Sequence, residues 1–193
     1  DVYKRQFQEE TTMNRHSRST RALVEAALMI ALATILGYFR LYRFPQGGSV
    51  DFAMVPILIY CLRWGPAWSL SCCFVNGVLQ FFLGGGIALS WQSMLLDYLV
   101  AFMALGTAEF FARPFKNRMV GVAFGTFMAG FLRFMCSFLS GVLVWGNLND
   151  GLAAWTYSLT YNGSYMLPET LLTMVAAVLL CRMAPQIFDR QAR

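Results

Sequence analysis

Apolar stretches of near-bilayer length alternate with short polar segments along this chain. Six apolar spans can be drawn, roughly Arg21 to Phe39, Asp51 to Leu62, Pro66 to Leu83, Trp91 to Ala112, Met119 to Trp145 and Leu159 to Arg182. A helix needs about 20 apolar residues to cross hydrocarbon, and only the second span falls far short. It follows FPQGGSV, Phe44 to Val50. A short span beside a segment rich in glycine and proline predicts an irregular connection buried in protein or lining a cavity, where non-helical backbone is tolerated at membrane depth. The pattern therefore predicts an all-α integral membrane protein of six transmembrane helices. Residues 21–182 form the single transmembrane domain, flanked by a polar tail over 1–20 and a short tail over 183–193. The opening DVYKRQFQEETTMNRHSRST has no apolar core, so it is not a signal peptide. Its first residues, DVYKRQ, resemble a translated linker, with Met13 the expected start.

Composition agrees with the pattern and charge orients it. Apolar residues make up 58% of the chain and charged residues 13%, against roughly 45 to 50% and 25% in soluble domains. The net charge of +5 would suggest nucleic acid in a soluble chain; here it follows topology, and membrane lipid rather than nucleic acid is the expected surrounding. With both termini cytoplasmic, Lys4, Arg5, Arg15, Arg18, Arg21, Arg63, Arg113, Lys116, Arg118, Arg182, Arg190 and Arg193 lie on the inner side. Arg40 and Arg43 lie outside and Arg133 lies within the fifth span, a strong positive-inside bias for a multi-pass cell-membrane protein.

Catalytic readings find no support. The single histidine, His16, sits in the polar tail, so no intramembrane Ser/His dyad can form. Asp97 and Glu169 belong to no catalytic motif, and no GxxxxGK[ST] loop is present to bind ATP. The five cysteines lie in apolar stretches without metal-ligand spacing. Neither cofactor nor metal is expected.

Polar groups inside the spans carry the functional signal, because ionisable residues at membrane depth usually face a protein interior or a cavity. At 1.5 Å per residue, Asp97 lies about 9 Å below the outer surface, Ser137 about 12 Å and Arg133 about 18 Å. Tyr157, Tyr161, Asn162 and the deeper Glu169 start the sixth helix in WTYSLTYNGSYMLPETLLTM. Taken singly, Trp91, Trp145 and Tyr157 also fit an interfacial aromatic belt. Arg133 with Glu169 reads as a structural ion pair between helices, and Arg21/Glu25 and Glu109/Arg113 read as i,i+4 pairs near the inner face. Asp97 has no basic residue within one turn, so its partner comes from another helix or from a ligand. A carboxylate beside aromatic rings suits a flat cation, and Asn162 with tyrosine hydroxyls suits the polar edge of a heterocycle.

The segments GGSVDFAMVPILIYCLRWG, LLDYLVAF, RFMCSFLSGVLVWG and YSLTYNGSYMLPE resemble the ThiT family, the thiamine-specific substrate-binding subunits (S components) of energy-coupling factor (ECF) transporters. The resemblance runs in order from about Arg21 to Arg182. It implies an ECF S-component-like bundle that captures thiamine at the outer face for ATP-driven uptake. Asp97, Tyr98, Trp145, Tyr157 and Asn162 fall on the family's thiamine-binding positions, with Asp97 where the acid is commonly Glu. Ser137 stands where members often have histidine, and another small heterocyclic vitamin or a thiamine precursor is the alternative ligand. The resemblance also implies that Ala27 and Ala31 dock a transmembrane coupling subunit, which works with two ATPase subunits. Spacing alone lets those alanines, or Ala22 and Ala26, pack equally well inside the chain.

Overall fold

The computed structural model describes residues 2–45, 47–145 and 153–190, with side chains from His16 onward except that of Trp145. Helix α1 (Val2–Leu36) is continuous, so the polar tail and the first span are one helix. No glycine or proline interrupts it before Gly37, whose N–H still reaches Ala33 O at 2.9 Å. A two-stranded antiparallel hairpin follows, β1 (Tyr42–Arg43) with β2 (Ser49–Val50), in the register Tyr42↔Val50 and Arg43↔Ser49.

Helix α2 (Met54–Arg63) is the short second span, and Met54 through Leu62 are all buried. Asp51 starts it: its Oδ1 accepts the Ala53 N–H at 2.9 Å and its Oδ2 the Ser49 hydroxyl at 2.8 Å, an Asx turn that satisfies backbone the helix leaves unpaired. Packed against α1 and all four later spans, α2 has no face left for lipid. Helix α3 (Pro66–Leu83) has proline in its first turn and ends at Gly84. The next span is broken into α4 (Trp91–Met94), a π-turn over Leu95–Val100, α5 (Ala101–Leu105) and α6 (Ala108–Ala112). Helix α7 (Arg118–Ser140) also passes into a π-turn, Gly141–Trp145. Helix α8 (Ala154–Met183) contains Pro168 and is followed by a 3-10 turn, Pro185–Phe188.

Among the described residues, five helical stretches are long and apolar enough to cross a bilayer, and α2 is the shorter sixth. Their outward faces carry exposed large hydrophobics such as Leu28, Phe82, Phe131 and Leu171. Contiguous apolar surface of that extent is unstable in water and at home in lipid, so this is a multi-pass membrane protein.

At the arginine-rich end, side chains tie helix ends together. Arg118 donates to Leu62 O at 2.5 Å and Phe188 O at 2.9 Å and pairs with Glu109 at 3.1 Å. Glu109 also pairs with Arg190 at 2.5 Å. Glu25 pairs with Arg63 at 3.0 Å and accepts the Trp64 indole N–H at 3.0 Å. These contacts correct the expected Arg21/Glu25 and Glu109/Arg113 pairs. Half-buried carboxylates gain more from partners that also leave water than from exposed neighbours on their own helix. Residues 184–188 also pack at this end, where Phe188 is buried and Arg63 donates to Ile187 O at 3.2 Å.

Candidate functional site

The opposite end of the bundle holds a cavity of about 990 Å³, counting the part open to solvent, between α3, the π-turn Leu95–Val100, α5, α7 and α8 and beneath the hairpin.

One wall is a tyrosine ladder. Tyr157, Tyr161 and Tyr165 recur every four residues on α8 and so share a face. Tyr157 stacks on Tyr161 with centroids 5.9 Å apart and planes at 10°, and Tyr161 meets Tyr165 edge-on at 5.5 Å. The hairpin closes over this ladder. Gly48 N–H donates to Tyr161 Oη at 3.2 Å, and the Phe44 ring lies 6.1 Å from Tyr161 and 5.8 Å from Tyr165. A Cβ on Gly48 would stand 2.7 Å from the Tyr165 ring, so only glycine lets the backbone lie this close.

The floor is charged. Arg133 and Glu169 pair at 2.9 Å, the Arg133 guanidinium lies 4.8 Å from the centre of the Phe102 ring, and its Nη1 also approaches Met54 Sδ at 2.7 Å. Glu169 and Asp51 are both buried. At the rim, Arg40 donates to Gly37 O at 3.0 Å and Gly84 O at 2.6 Å. Among the described residues, the cavity is thus lined by three carboxylates, Asp51, Asp97 and Glu169, and two guanidiniums, Arg40 and Arg133.

The π-turn in the fourth span places Asp97 and Tyr98 on the cavity together. π-turns recur at functional sites because the wider turn re-aims side chains. Asp97 Oδ2 accepts from Ser93 Oγ at 2.9 Å and from Ser140 Oγ at 2.6 Å. Tyr98 Oη accepts the Ile87 N–H at 2.9 Å, which ties the glycine-rich turn after α3 to the site. Asn162 is buried, and its amide nitrogen donates toward Ser137 O at 3.2 Å and Ser158 O at 3.1 Å, while its oxygen accepts from Tyr165 Oη at 3.1 Å. Its amide thereby joins α7 to α8 in the wall. Close approach of these helices is possible at Gly141, where a Cβ would collide with the Ser158 hydroxyl.

Asp97, Tyr98, Ser137, Tyr157 and Asn162, all singled out in the sequence, therefore line one cavity. The Trp145 side chain lies outside the described residues. Ala27 and Ala31 do not line the cavity and are exposed, whereas Ala22 and Ala33 are fully buried. Sequence reasoning left Arg40, Asp51, Gln80 and Tyr165 out of the site, although Tyr165 completes the spacing begun by Tyr157 and Tyr161. Among the described residues, no group of three or more His, Cys, Asp or Glu side chains is arranged to hold a metal ion.

A bundle of lipid-facing helices with an aromatic, acid-lined cavity at one end defines a membrane-embedded protein that binds a small molecule. A profile of the family described as thiamine transporter protein (Thia_YuaJ) matches residues 23–189, and the chain belongs to that family. It is 34% identical to the thiamine transporter ThiT of Bacillus subtilis over 189 residues, covering 91% of this chain and 97% of that one. With ThiT of Lacticaseibacillus paracasei it shares 30% identity over 179 residues, 86% of this chain and 89% of the relative. A solved structure of ThiT from Listeria monocytogenes has the same fold, with a TM-score of 0.78 at 22% identity over 89% of this chain and 98% of the other. The family's role is transport rather than catalysis.

Proposed function

We propose that this chain is a thiamine-binding S component, which captures the vitamin at the outer face and works with a coupling subunit and two ATPase subunits. The observation that carries the reading is the acid surplus in a tyrosine-walled cavity. Of the two guanidiniums, Arg133 is paired and Arg40 donates to carbonyls, so the lining favours a ligand that brings positive charge. Thiamine joins a cationic thiazolium to a flat aminopyrimidine. Aromatic faces attract the cation, more strongly once the hairpin excludes water, and Asp97 adds a carboxylate. Ser137 and the Asn162 oxygen offer directional contacts to the pyrimidine edge, with a bridging water where the shorter Ser137 hydroxyl replaces an imidazole.

Uptake needs an energy source that this sequence does not encode, which is why ATPase partners enter the proposal. The exposed Ala27 and Ala31 on α1 offer a close-packing face of the small-xxx-small type.

Isothermal titration calorimetry on the purified protein tests the binding step, and uptake of labelled thiamine by cells tests the coupling. Thiamine should bind with one-to-one stoichiometry, and Ala27→Trp or Ala31→Trp should abolish uptake while leaving that binding unchanged. Absence of binding would assign the cavity to another heterocycle. Loss of binding together with uptake would show that the two alanines serve internal packing.

A further inference from the structure

We infer that Ser93 and Ser140 are positioning residues for Asp97: their hydroxyls clasp one carboxylate oxygen from two helices and fix the presentation of its charge to the cavity. The inference rests on the thiamine-binding reading of this cavity.

Both serines are fully buried. Ser93 stands one helical turn ahead of Asp97, in α4, and Ser140 is the last residue of α7. Their hydroxyls converge on the same atom, Asp97 Oδ2, at 2.9 and 2.6 Å. The second distance is in the range of a charge-assisted O–H···O⁻ bond, roughly twice as strong as a neutral one. Two donors on one oxygen restrict the side-chain torsions that an aspartate on a helix otherwise samples, and ordering of this kind improves ligand affinity by lowering what must be frozen on binding.

The clasp sits where two helices leave α geometry together. The π-turn Leu95–Val100 carries Asp97, and the π-turn Gly141–Trp145 begins directly after Ser140. Hydrogen bonding between Ser140 and Asp97 therefore holds the two irregular turns in register across the cavity wall.

A double-mutant cycle on the full chain, with thiamine as ligand and calorimetric affinity as readout, tests this. Ser140→Ala and Ser93→Ala should each weaken thiamine binding, Ser140→Ala by about tenfold, the low end for a hydrogen bond to a charged group. Ser140→Thr, which keeps the hydroxyl, should restore most of the affinity. In an Asp97→Asn background the same Ser140→Ala change should cost less than about twofold, because the charge it positions is gone. If the alanine variants lower only the ligand-free melting temperature, or weaken binding equally in both backgrounds, the serines are packing contacts and the inference is overturned. A wild-type protein that binds no thiamine overturns the ligand reading itself and the inference with it.

Discussion

Both ends of the bundle are built from arginines and carboxylates, yet the balance runs in opposite directions. At the arginine-rich end, Arg63, Arg118 and Arg190 face Glu25 and Glu109 and also donate to the carbonyls of Leu62, Ile187 and Phe188. Cation is in excess there and is absorbed by the free carbonyls of helix ends, where positive charge also meets the negative end of the helix dipole. At the cavity end, Asp51, Asp97 and Glu169 outnumber Arg40 and Arg133. There acid is in excess among the described lining residues. The same side chains close one end and leave the other receptive, so it is the local charge count, not the presence of ion pairs, that marks the site.

The sharpest break in that comparison is Arg133→Met. It strands Glu169 in the cavity floor, and removing one partner of a buried pair typically costs about 3 to 5 kcal/mol. Thermal unfolding in detergent should show a large drop in melting temperature, which Arg133→Met combined with Glu169→Leu should partly reverse. Arg118→Gln at the other end removes bonds to two carbonyls and to Glu109 from a side chain that is 26% exposed, for a combined loss of about 1.5 to 3 kcal/mol. Because Glu109 keeps Arg190, the expected outcome is a moderate loss of stability with thiamine affinity unchanged; altered affinity would mean the two ends are coupled. The smallest effect belongs to Tyr161→Phe. Losing the acceptor for the Gly48 N–H should weaken hairpin closure by about 0.5 to 1.5 kcal/mol, read as faster thiamine dissociation in stopped-flow fluorescence with little change in melting temperature.

Much of the fold was legible because lipid allows few solutions: a span of apolar residues near bilayer length is helix, since every backbone group must be satisfied within the segment. Asp97, Tyr98, Ser137, Tyr157 and Asn162 were legible for the converse reason, as polar groups placed where lipid would penalise them. The π-turns were not. Nothing in LLDYLV or GVLVW differs from ordinary apolar helix, and the wider turns are set by packing between helices. Asp51 was read as the edge of a span, because its role depends on the turn it makes three residues ahead of α2. Glu25 and Glu109 were assigned to neighbours in sequence when their partners, Arg63 and Arg190, come from distant segments. Spacing along one helix carries no information about what stands across from it.

Helix α2 has a consequence for how the chain is made. Its ten residues span only about 15 Å at the helical rise, half of a hydrocarbon core of about 30 Å, so it has no stable way to reside in the bilayer by itself. The surface that receives it includes α6, α7, α8 and the Pro185–Phe188 turn, all synthesised later. Translation therefore delivers the centre of the molecule well before its surroundings exist, and biogenesis ends only when the last helix closes around a segment the ribosome released more than a hundred residues earlier.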